Sequence, residues 1–282
     1  MRRLFFIWAC LWWAWPVAAA ALEPRAPLKV GGAGAAMSSM SLLATAFIKE
    51  NPDQAVKIVL PSLGSNGGIK ALLAGAIDIA VTARPLAQAE RDKGIAAQAY
   101  GKSAVVFAVV YSVGQAIPQR NLTAEDLVEI YSGTRTNWPD GRKIRLVLRP
   151  AFEADNELIR NHIPGMASAL MAAEKLPAVP IVYSDQEAAD AIERIPGAVG
   201  ATSLNLILAE RRPFHVLRLN GVLATAQNIH DGTYPMTKIY YFVTREEKDE
   251  RVQQFLDFVR SPQGRRILQQ SGHIVSGVED QE

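Results

Sequence analysis

Cysteine is almost missing from this chain: one in 282 residues, Cys10. That residue stands inside an amino-terminal run, MRRLFFIWACLWWAWPVAAAALEP, which reads as a secretory leader. Arg2 and Arg3 form its charged region, Leu4 to Val17 its apolar region, and Ala18-Ala19-Ala20 an A-x-A cleavage site. Cleavage near Ala20 or Ala21 makes residues 1–21 a signal peptide. An uncleaved anchor is the alternative, although the apolar run is short for a membrane span. Lipidation of Cys10 fits poorly, because Trp8 and the short preceding run differ from a lipoprotein context. The processed chain then has no cysteine, which excludes disulfides, a thiol nucleophile and Cys-ligated zinc. Export without disulfides fits a bacterial periplasm and a chain long enough to build its own core.

An excess of either charge is also lacking. The full chain carries 30 basic and 28 acidic residues, and loss of Arg2 and Arg3 with the leader leaves 28 of each. No basic field points to nucleic acid or an anionic membrane, so any anion selectivity must come from local geometry. The four histidines, His162, His215, His230 and His273, form no pair at metal-ligand spacing. There is no G-x-S-x-G elbow, Walker loop, repeat or low-complexity linker. No metal, cofactor or catalytic constellation is expected, and the chain reads as a binding protein rather than an enzyme.

What is present is an alternation of strands and helices. Strands are expected at Leu28 to Val30, Val56 to Leu60, Ile77 to Val81, Val105 to Tyr111, Ile144 to Leu148, Val199 to Thr202, Val216 to Leu219 and Ile239 to Val243. Helices are expected at Ser38 to Glu50, Ile69 to Ala74, Ala124 to Tyr131 with Thr123 as N-cap, Asn156 to Ile163, Met166 to Lys175, Asp185 to Glu193, Glu250 to Val259 and Gln263 to Gln269. The pattern argues for α/β architecture with mainly parallel sheets. The tail after Gly277 is acidic and expected to fray. Gly32-Ala33-Gly34 between a strand and a helix offers a weak dinucleotide signal, since Met37 holds the third glycine position. An exported protein also stands apart from dinucleotide pools, so the better reading is a tight strand-to-helix turn, which supplies a helix N-terminus that favours anions.

Five segments together resemble the phosphate-type periplasmic solute-binding proteins, the receptors of ABC importers. They are GGAGAAMSSMSLLATAFIKENP, LGSNGGIKALLAGAIDIAVTARPL, LTAEDLVEIYSGTRTNWPDG, NGVLATAQNIHDGTYPMTKIYYFV and FLDFVRSPQGRRILQQSGHIV, in the family's order along nearly the whole chain after the leader. The resemblance implies a two-lobe periplasmic-binding-protein (type II) fold with a hinge and an interlobe cleft. One lobe would hold residues 25–104 and 224–282, the other 105–223. It implies a periplasmic monomer that binds phosphate or another small oxyanion and delivers it to a membrane ABC permease. The alternative is a periplasmic sensor or protein-interaction module with an altered cleft.

The resemblance also implies site residues. Gly64, Ser65 and Asn66 match a loop that offers a hydroxyl and backbone N–H groups to the anion. Asp78 would accept a hydrogen bond from a protonated ligand oxygen, or else cap a neighbouring loop. Arg149 would form a bidentate pair with an oxyanion, or else a surface ion pair. Arg84, followed by Pro85, is expected to be structural. Two parts depart from the family. Ala35 and Ala36 stand where Ser or Thr is usual, with Ser38 further along the helix. Glu153, Ala154 and Asp155 replace a Ser-Gly-Thr run. A carboxylate about 4 Å from a phosphate charge costs on the order of 4 kcal/mol at an effective dielectric near 20. Asp155 as N-cap of the next helix would place a built-in anion where the ligand should sit, or would be an ordinary cap remote from it.

Overall fold

The computed structural model describes residues 26–110, 119–247 and 249–275, so the leader with Cys10, Tyr111 and the tail after Gly277 lie outside the described residues. The chain begins with β1 (Leu28–Gly32), α1 (Gly34–Glu50), β2 (Val56–Ile58), α2 (Gly64–Leu73), β3 (Ile79–Thr82), α3 (Gln88–Arg91) and the long β4 (Ile95–Val109). Then come β5 (Asn121–Leu122), α4 (Ala124–Ser132), β6 (Arg145–Val147), α5 (Ala154–His162), α6 (Met166–Ala173), α7 (Asp185–Arg194), β7 (Ala198–Ser203) and α8 (Leu204–Glu210). The final stretch holds β8 (His215–Val216), β9 (Arg218–Leu219), α9 (Ala226–His230), β10 (Thr237–Arg245), α10 (Glu250–Arg260) and α11 (Pro262–Gln270).

The main sheet has the order β2-β1-β3-β10-β4-β7-β6, with β8 also on β4. The expectation of mainly parallel pairing needs correction. β1 is parallel to β2 and β3, and β6 to β7, but β10 is antiparallel to both β3 and β4, and β4 is antiparallel to β7 and β8. The cause is topological: β4 carries the chain from one lobe to the other, and β10 brings it back beside β4 in the opposite direction. β4 has 15 residues, roughly 50 Å at the usual strand rise, enough to serve both lobes.

The two largest apolar cores among the described residues lie one in each lobe. The first packs Val30, Met40, Leu43 and Phe47 against Phe242 and Phe255. There the Phe47 ring meets Phe255 edge-on at 5.4 Å. The second packs Val106, Phe107, Leu127, Tyr131 and Val199. Ala224, Ile229, Tyr234 and Met236 also belong to that second core, although the sequence reading assigned residues beyond 223 to the first lobe. Packing therefore puts the return crossing at Thr237, the start of β10. Tyr234 fixes this point by donating its hydroxyl to the Val105 carbonyl at 2.9 Å.

The helices that face the cleft start earlier than their apolar periodicity suggests. α1 begins at Gly34 rather than Ser38, and α2 at Gly64 rather than Ile69. The glycines of α2 are its first turns, and one is there for packing. A Cβ on Gly68 would lie 2.9 Å from the Gly32 Cα, so only glycine lets α2 sit this close to β1.

His273 lies wholly inside this fold. Its Nε2 is 3.2 Å from the Ser39 hydroxyl, and the rings of Tyr100 and Tyr240 lie against it. Burial drives the imidazole pKa from its ordinary 6.5 down to about 3. The folded protein keeps His273 neutral while the unfolded chain takes up a proton below pH 6.5, so stability is lost as pH falls through that window. At pH 5 the expected loss is about 2 kcal/mol relative to pH 7.5. Urea unfolding of wild type and His273→Gln at both pH values checks this: the variant should lack that part of the pH dependence.

Candidate functional site

The N-termini of α1, α2 and α5 open on one cavity of about 170 Å³ between the lobes. None of the three has a side chain capping its first turn, whereas α4, α7, α10 and α11 are capped by Thr123, Ser184, Asp249 and Ser261. First-turn N–H groups have no partner within their helix and carry the positive end of its dipole, so the cavity favours negative charge. Ser65, in the first turn of α2, accepts a hydrogen bond from the Ala83 N–H at 3.0 Å. That leaves its hydroxyl proton free to donate into the cavity.

Five charged side chains line the same space. Arg149, with a side chain only 10% exposed, donates to Glu153 at 3.0 Å, approaches Asp185 at 3.1 Å and reaches the Tyr183 carbonyl at 3.3 Å. Its Nε is buried without a partner. Lys238, from β10, pairs with Asp155 and lies 3.3 Å from the Ser203 hydroxyl. Burial alone would lower the pKa of both cations. Asp185 and Glu153 around Arg149, and chiefly Asp155 beside Lys238, more than offset it and raise both. Two cations thus face three carboxylates, a formal charge of −1 before any ligand enters.

The expected site residues divide. Ala35, Gly64, Ser65, Arg149, Glu153 and Asp155 line the cavity. Ala36 is wholly buried in the first core, and Ser38 donates to Glu210 across the lobes at 2.5 Å. Asn66 accepts from Arg84 Nε at 3.0 Å, and Arg84 is itself paired with Glu90, so both serve the structure. Asp78 also lies away from the cavity. It accepts from the Lys29 N–H at 2.7 Å at the opening of β1, which is the capping alternative. The residue that follows β3 at the cavity is Ala83, so this strand brings no carboxylate to it. Asp155 is not an N-cap. α5 starts at Ala154, Glu153 holds the cap position without a capping bond, and the Asp155 carboxylate turns to Lys238.

Asp185 and Lys238 were not singled out from the sequence. Asp185 follows Ser184, whose hydroxyl accepts from the Glu187 N–H, and an acidic residue there reads as ordinary support for a helix dipole. Lys238 had a visible signal, a lone cation entering the apolar strand Ile239 to Val243.

Residues 18–263 match the model of the PBP superfamily domain. A phosphate-binding protein PstS from Bacillus subtilis is 25% identical over 88% of this chain and 80% of its own length. Among solved structures, a Clostridium perfringens protein described as a phosphate ABC transporter substrate-binding protein, with bound phosphate, covers 89% of this chain and 99% of its own, with a TM-score of 0.72 at 21% identity. An ABC-type phosphate transport receptor from Vibrio cholerae covers 88% and 99%, with a TM-score of 0.59 at 23% identity. At these identities the structural likeness is one of fold. The family match over most of the length, the two-lobe packing and the double crossing agree: the chain belongs to the PBP superfamily.

Proposed function

We propose that this protein is an exported, periplasmic receptor that takes phosphate or a related small oxyanion into its interlobe cleft and delivers it to a membrane permease. The observation that carries this reading is the convergence of three uncapped helix N-termini, the Ser65 hydroxyl and Arg149 on one small cavity. The Gly34, Ala35, Gly64 and Ser65 N–H groups would receive the anion from the first lobe, and Arg149 from the second. The phosphate-binding names of its relatives favour the same ligand class. A second reading, a sensor or interaction module, draws on one observation: both cleft cations already have carboxylate partners.

Thermal unfolding of the processed protein, refolded free of ligand, separates the two. It is measured against phosphate, sulfate, other oxyanions, amino acids and metal ions. An oxyanion at 1,000 times its dissociation constant is expected to add about 4 kcal/mol, a rise of roughly 10 °C. No rise with any oxyanion would reject the receptor reading in favour of the second.

A further inference from the structure

We propose that Asp185 is a tethered competitor for the solute, a carboxylate of the second lobe that occupies the anion position of the first. This inference rests on the oxyanion reading of the cleft. Three observations carry it. Asp185 Oδ1 lies 3.1 Å from Arg149, the cation best placed to grip an oxyanion. Its Oδ2 lies against the N-terminus of α1, so close that a Cβ on Gly34 would be 2.4 Å away. And α7 does not need this carboxylate for capping. Ser184 accepts from the Glu187 N–H, while Glu187 accepts from the N–H groups of Tyr183 and Ser184.

The carboxylate therefore touches both lobes, as a bound anion would. Beside it, Gln186 donates to the Gly34 carbonyl at 2.9 Å, which draws the first turns of α7 and α1 together. A solute oxyanion must displace Asp185 from Arg149 and from α1. Each added negative charge on the solute raises the repulsion from the carboxylate that remains nearby. Asp185 accordingly sets a high concentration threshold for phosphate and keeps the empty lobes closed.

The test uses Asp185→Asn, which keeps the shape and removes the charge, with Asp185→Ser as a second variant should the first fold poorly. The chain after residue 21 has no cysteine, so probes can be placed on cysteines introduced at the exposed positions Leu60 and Phe152, one in each lobe. Their separation reports lobe closure, and calorimetry reports phosphate affinity. The expected result is a longer ligand-free separation in the variant, a return to the short one with phosphate, and at least tenfold tighter phosphate binding. An unchanged ligand-free separation overturns the inference, as does weaker phosphate binding, which would make Asp185 a ligand contact. A longer separation with no oxyanion bound by wild type or variant keeps the latch and overturns the oxyanion reading instead.

Discussion

Gly32→Ala is expected to cost more than about 4 kcal/mol, a large part of the stability of an ordinary domain. Gly32 closes β1 with φ +140°, a backbone conformation that side chains rarely adopt. That strain alone is worth about 1–3 kcal/mol. The new Cβ would also lie 2.0 Å from the Val81 carbonyl oxygen and 2.8 Å from the Val81 nitrogen, both backbone atoms of β3. Neither can swing aside as a side-chain tip could. The same Val81 oxygen accepts from the Ala33 N–H at 2.8 Å, so pushing β3 away also releases the turn into α1. Gly64→Ala is the matched control. It has φ +66° and nothing within 4 Å of its Cβ, so only the conformational cost of about 1 kcal/mol should appear. Urea unfolding of both variants measures the difference. A loss near 1 kcal/mol for Gly32→Ala would mean that β1 and β3 are not paired as described.

The second large effect belongs to Lys238. Its side chain is 9% exposed and that of Asp155 12%. Lys238→Met leaves a nearly buried carboxylate without its cation, which typically costs about 3–5 kcal/mol. The expected loss is of that size, and adding Asp155→Asn should restore most of it, because the neutral pair carries no stranded charge. The double-mutant cycle reads this coupling directly by urea unfolding. Independent costs that simply add would show that the two groups do not share a pair. Lys238 starts the returning strand and Asp155 sits in the first turn of α5 in the second lobe. Their pair therefore ties the crossing to the cleft wall.

Much of the fold was legible because it is written locally. Thr123 and Asp126 form a reciprocal cap, and the helix expected from Ala124 is the one observed. α1 and α2 were legible only from their apolar faces. They open on Gly34-Ala35-Ala36 and Gly64-Ser65-Asn66-Gly67, which carry no periodic apolar signal, and tertiary packing, of α1 on β1, β2 and α8 and of α2 on β1 and β3, holds them helical. α8, Leu204–Glu210, was missed because its apolar run follows β7 without a break and gives no period of its own. The site was harder still. Asp78 and Ala83 stand at opposite ends of the β3 segment, and only the pairing register shows which end meets the cleft. The Asp155 carboxylate does not cap its helix but pairs with Lys238. The carboxylate that reaches the helix N-terminus of the opposite lobe is Asp185, about thirty residues later, and sequence spacing holds no trace of that meeting.

The position of a bound oxyanion is the most direct measurement. Crystals of the protein without residues 1–21, first freed of bound solute and then grown with arsenate as a phosphate analogue, would locate arsenic by its anomalous scattering. One peak is expected in the interlobe cavity, within hydrogen-bonding distance of Ser65, Arg149 and the first turn of α1, with the Asp185 carboxylate moved off Arg149. A saturating arsenate concentration that leaves the cavity without a peak, and Asp185 still on Arg149, would contradict an oxyanion site in this cleft.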